Sequence, residues 1–135
     1  MTASERRLAV AGWWEVAERT RDTAQLAYNA GDWRSAVSRA YYAAYQAATG
    51  VCIAHEDETQ FPPGWNNPAH DQLPELLRNN GDLSLPVRRQ VTQRLVALRV
   101  SRESADYRPG RTVDKSIALE CVQQAVLILT LLKGT

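Results

Sequence analysis

Four side chains in this 135-residue chain are of types, and at positions, suited to phosphate chemistry: Arg102, Asp106, Tyr107 and His70. Arg102 falls in the middle of an apolar stripe made by Val87, Val91, Leu95, Leu98 and Ala105. A guanidinium on such a stripe is costly unless it is paired and hydrogen-bonded. Asp106 follows one helical turn later and can accept a bidentate contact if the helix continues that far. Two readings stay open. Arg102 is either half of a buried ion pair that fixes the helix end, or it faces a cleft and can hold a phosphate or an RNA backbone. His70 reads as lying in the first turn of a short helix, where the helix dipole disfavours the imidazolium and leaves a neutral base. The plainer reading is an exposed residue at a helix start. His55, at the head of an acidic stretch, is a weaker candidate still.

Other chemistries find little support. Two histidines without ligand spacing give no metal site. No phosphate-binding glycine loop, nucleophile elbow or CxxC is present, and no cofactor is expected. Cys52 and Cys121 sit on apolar helical stretches and read as buried thiols. The net charge of +1 makes no global demand for nucleic acid. Charge is one-signed only between Val87 and Arg111, where arginines 88, 89, 94, 99, 102, 108 and 111 face Glu103 and Asp106. Such a helix can hold a nucleic-acid backbone or be a solvated face that offsets acidic residues elsewhere. With 44% hydrophobic and 23% charged residues the composition is that of a soluble globular domain. The longest apolar run, near the C-terminus, is broken by Glu120, Gln123 and Gln124 and reads as too short and polar to span a bilayer. No apolar signal segment follows MTASERR, so a cytoplasmic protein with no membrane partner is expected.

The elements that must position these residues are helical throughout. Apolar residues at three- and four-residue spacing predict a first helix over 4–29, capped by Thr2 or Ser4 and containing the Trp13–Trp14 pair. Asn29-Ala30-Gly31 ends it, and Asp32 caps the next helix, to Ala54. So short a turn makes the two helices antiparallel neighbours. The second helix is small or aromatic on almost every side, with a stripe of Ala36, Ala40, Ala43, Ala47 and Val51. Such a helix is central, and its stripe lets a neighbour approach closely. Arg39, on its flank, is expected to be part-buried and paired. Residues 55–66 form a long loop, either a solvated stretch with Phe61 and Trp65 tucked onto the bundle, or a lid or partner-binding loop. Asn67-Pro68 predicts the start of a short helix to about Asn79, kinked at Pro74. A fourth main segment covers 85–105. Thr112 is expected to cap the last helix, to about Lys133, whose apolar surplus suits a homodimer contact. The fold class is all-α: one domain, an antiparallel up-and-down bundle of four main helices plus one short helix.

Two segments carry a family resemblance. Ser38-Arg39-Ala40-Tyr41-Tyr42, within GDWRSAVSRAYYAAYQAA, resembles the second-helix core of small stand-alone HEPN domains. Arg102-Glu103-Ser104-Ala105-Asp106-Tyr107 is similar to that family's signature before the last helix. His70 falls near a frequent histidine position. The resemblance implies a HEPN-like helical bundle, commonly dimeric, with roles in RNA cleavage, nucleotide binding, toxin–antitoxin pairs and defence. It also implies a minimal nucleotidyltransferase as antitoxin partner. HEPN ribonucleases typically carry an arginine followed four to six residues later by histidine. Residues 48–50 and 63–65, which would serve His55 and His70, contain no arginine, and after Arg102 the place is taken by Tyr107. A tyrosine there can donate a proton but is a poor base at neutral pH. A site assembled from Arg102, Tyr107 and His70, with Asp106 orienting the arginine, is one expectation. A catalytically silent helical adaptor that binds a protein partner is the other. On either, Arg39 and Tyr42 support the cleft that Arg102 faces.

Overall fold

The computed structural model describes residues 1–134 and is all-helical over them. Helix α1 spans Ala3–Asn29, α2 Trp33–Ala54, α3 Leu73–Arg78, α4 Leu85–Tyr107 and α5 Lys115–Lys133, with a single 3-10 turn at Asp57–Gln60. Four long helices and one short one thus make the bundle that the periodicity predicts.

Local chemistry sets most boundaries. Thr2 and Glu5 form a reciprocal capping box at the start of α1. Gly31, at φ +77°, supplies the left-handed residue that turns the chain back. Asp32 then accepts from the Ser35 N–H at 3.3 Å to cap α2. Helix α2 touches every other element, as its nearly all-apolar circumference requires. Ala36, Ala40, Ala43 and Ala47 are fully buried along it. At Gly50 a side chain would meet the Trp13 Cβ at 3.3 Å, so the absence of a Cβ lets α1 and α2 close. Trp13 and Trp14 pack at the core's edge, half-buried.

Several expectations need correction. Residues 55–66 are not one irregular loop: the 3-10 turn buries Asp57, and Phe61 is buried too, while Trp65 is 53% exposed. The turn is held because Arg6 of α1 grips Glu58 with both guanidinium nitrogens (2.6 and 2.7 Å) and also donates to the Ile53 carbonyl. Asn67-Pro68 does not start a helix. Pro74 lies in the first turn of α3 rather than kinking a longer helix, since a proline costs least where its missing N–H has no helical partner. Asp114, not Thr112, caps α5 by accepting from Ile117 N–H at 2.9 Å. Helix α4 continues to Tyr107, two residues past the expected end. By length and composition α5 does meet the requirement for crossing a bilayer, contrary to expectation. In this fold it is a core helix, with Cys121, Ala125, Ile128 and Leu132 buried against the bundle.

Candidate phosphate site

Helix α2 presents Tyr41, Tyr42 and Tyr45 toward the C-terminal half of α4. Tyr41 and Tyr45 lie one turn apart and share a face, and both are buried. Into this aromatic wall α4 sends Arg102, which is only 6% exposed. The guanidinium carbon lies 5.2 Å from the Tyr41 ring centre, 5.7 Å from Tyr42 and 5.4 Å from Tyr107. Three ring faces therefore stabilise the cation.

Its ionic partner is weaker than expected. Asp106 Oδ2 is 4.0 Å from Arg102 Nη1, so the bidentate contact is absent. Asp106 instead accepts from the Ser38 hydroxyl at 3.1 Å, because that buried α2 hydroxyl also needs a partner. Tyr107, 69% exposed, meets Arg102 Nη1 with its hydroxyl at 3.5 Å, the outer limit of a hydrogen bond. Arg102 Nε is buried with no hydrogen-bond partner. The next arginine along the site, Arg99, repeats the pattern: Glu103 lies 3.6 Å from its Nε, an ion pair without a hydrogen bond.

His70 is placed by the segment before α3, not by the first turn of a helix. The Tyr45 hydroxyl donates to the Pro68 carbonyl and accepts from Asn67 Nδ2. Gln72 accepts from the Ala69 N–H at 3.2 Å and donates to the Gln60 carbonyl. The segment so held stacks the imidazole on Tyr45 (centres 4.7 Å apart) and Tyr41 (5.5 Å). Tyr41 Oη and His70 Nδ1 are 2.6 Å apart. Burial pushes the Tyr41 phenol well above its ordinary range, so it keeps its proton in this contact. Burial, then the positive charges of Arg102 and Arg99, lower the His70 pKa from its ordinary 6.5. The expected lowering of the His70 pKa is found, but burial and the two arginines cause it, not a helix dipole. With Nδ1 engaged by Tyr41, Nε2 is the ring nitrogen left for a ligand.

A cleft of about 330 Å³ opens here, lined by Tyr41, His70, Pro74, Val96, Arg99 and Glu103 among others, with Arg102 beside it against the Tyr41 ring. Arg99 and the His70 ring line the cleft, and so does the Glu103 carboxylate; Arg102 and Tyr107 adjoin it without lining it. The two guanidinium charges, Arg99 and Arg102, suit an anion. Among the described residues no group of three or more His, Cys, Asp or Glu side chains converges to hold a metal ion. His55 stands apart from the site, with Nδ1 2.6 Å from Asp82 Oδ2.

The structure thus brings Arg102, Tyr107, His70 and, at longer range, Asp106 together. Arg39 is half-buried as expected, but its partner is the Tyr42 ring at 4.9 Å rather than a carboxylate. Sequence reasoning missed Tyr45, Arg99 and Arg34. The Arg34 guanidinium donates to the carbonyls of Ser104 (3.1 Å), Ala105 (3.0 Å), Arg108 (3.4 Å), Pro109 (3.3 Å) and Arg111 (2.5 Å). These include carbonyls of the last turn of α4 and of the turn after it, so Arg34 holds the end of the helix that carries Tyr107. Local spacing gives no signal for a contact across 70 residues.

A model of the HEPN domain matches residues 10–135. The chain belongs to the HEPN domain family, and its helical bundle is consistent with that family's fold. No curated protein and no solved structure matches it.

Proposed function

We propose that this chain is a HEPN protein of the toxin–antitoxin or defence type that acts on RNA by binding a backbone phosphate at Arg102. The observation that carries the reading is a buried guanidinium with no hydrogen-bonded carboxylate, near a histidine whose pKa is lowered by burial. A buried charge of that kind is costly until an anion completes it. Arg102 and Arg99 would supply the charge, and His70 Nε2 and the Tyr107 hydroxyl would hydrogen-bond the phosphate. In this reading the protein is cytoplasmic, forms a homodimer and pairs with a minimal nucleotidyltransferase. The exposed Leu119 and Val126 on α5 offer apolar surface for the second copy.

A second reading, a silent helical adaptor, draws on the same three rings, which already stabilise Arg102 without any ligand. RNA binding and degradation by the wild type, Arg102→Met and Tyr107→Phe decide between them. The RNA reading expects Arg102→Met to abolish binding while thermal stability is kept or raised, since methionine fills the volume without a buried charge. Tyr107→Phe should weaken binding a few-fold. A wild type that neither binds nor degrades RNA, with Arg102→Met destabilised, would leave the adaptor.

A further inference from the structure

A second cleft opens on α4, one helical stretch N-terminal to the Arg102 site. It has a volume of about 480 Å³ and is lined by Arg78, Arg88, Arg89, Thr92 and Val96, among others, with no carboxylate in its wall. Its polar groups are poorly satisfied. Thr92 is 4% exposed and its hydroxyl has no partner, and Arg88 Nε is likewise buried and unpartnered. Arg88 Nη1 does reach the Arg78 carbonyl at 3.3 Å, which fixes the guanidinium across the α3–α4 junction. Arg78 meets a carboxylate only in an exposed 4.0 Å contact with Glu75. Three arginines and an orphan hydroxyl around one cavity match an anion with several acceptor oxygens.

Val96 lines both this cleft and the one at His70 and Arg99. It is the residue common to both linings, and from Arg88 to Arg102 the helix rises about 21 Å. That is a run of several nucleotides. We propose that the Arg78–Arg88–Arg89–Thr92 cleft is a second phosphate subsite, which holds the same RNA strand that Arg102 engages, with the strand lying along α4 over Val96. The inference rests on the RNA reading of Arg102 and adds a direction and a minimum length to the ligand. It places arginines 88, 89, 99 and 102 in one path. It also reconciles a net charge of +1 with RNA binding, because the charge is local.

Fluorescence anisotropy with a labelled oligouridylate long enough to span both clefts, and with uridine monophosphate as competitor, tests it. In an Arg88→Gln/Arg89→Gln variant the oligouridylate affinity should fall about tenfold or more. The slope of log affinity against log salt should drop by about 1.4, the loss of two single-strand phosphate contacts. Uridine monophosphate, held at Arg102, should bind unchanged. Arg89→Gln and Thr92→Val singly give partial losses and serve if the double variant is unfolded by circular dichroism. Unchanged oligouridylate affinity and slope overturn the second subsite, whatever Arg102→Met does. Loss in the double variant with Arg102→Met unaffected keeps this subsite and overturns the reading of Arg102. An equal loss of affinity for polyglutamate would mark an acidic-peptide surface and overturn phosphate recognition.

Discussion

At the scale of single residues, the site is defined by what its charges lack. Arg102 is surrounded by ring faces and has one carboxylate at 4.0 Å; the His70 pKa is lowered by burial and by the charges of Arg102 and Arg99. The two histidines of the chain should therefore titrate on opposite sides of their ordinary pKa. Asp82, by accepting from His55, raises that imidazole above 6.5, while His70 falls below it. The signs for stability are opposite. His70 takes up its proton more readily unfolded than folded, so its contribution is complete above 6.5 and declines as pH falls below it. His55 contributes fully below 6.5 and loses that contribution as pH rises through its raised folded value. An NMR titration of both rings should show this split, with Arg102→Met moving the His70 value upward and leaving His55 in place. Coincident titration of the two, or no response to Arg102→Met, would remove the electrostatic link between Arg102 and His70.

At the scale of elements, a clamp from α2 keeps the end of α4 in position. Arg34 is the only described side chain with hydrogen bonds to the carbonyls at 104, 105, 108, 109 and 111. Without it Ser104 and Arg108 keep their backbone partners, the N–H groups of Arg108 and Arg111, while the Ala105, Pro109 and Arg111 carbonyls lose their Arg34 hydrogen bonds. Arg34→Ala should cost about 1–3 kcal/mol, the range for leaving such groups unpaired. It should also speed amide hydrogen exchange over the last turn of α4 and the turn after it, while the first turns of α4 stay protected. Uniform acceleration over the whole chain would show a global role instead. The second-helix motif was legible because Ser38, Arg39, Tyr41 and Tyr42 are contiguous. The Arg34 clamp and the Tyr45 tie to Pro68 were not, because each joins segments distant in sequence. Likewise α3 is shorter than its sequence pattern predicts. Asn67-Pro68 has a helix-start pattern, but Tyr45 and Gln72 capture that backbone in a tied loop.

At the scale of the molecule, α2 is the shared wall of a single core, and α5 completes it. Ile128 of α5 is fully buried. Ile128→Ala should cost about 2–5 kcal/mol through lost burial and the cavity left behind. Because α2 touches every other element, the loss should appear as one cooperative transition, with tryptophan fluorescence and far-ultraviolet circular dichroism melting together. Separate transitions would mean that α5 docks independently.

The sequence by itself determined the helical class, the order of the four long helices, the central place of α2 and the arginine on the core stripe of α4. Those follow from local spacing, since a helix repeats its faces every few residues. Tertiary structure alone decided what Arg102 meets. It replaced the expected Asp106 fork with three tyrosine rings, gave Asp106 to Ser38, set His70 on Tyr41 and Tyr45, and placed two clefts on α4 that share Val96. Partners at these positions are chosen by packing between α2, α4 and the 67–72 segment, and spacing along one helix carries no record of a neighbour on another.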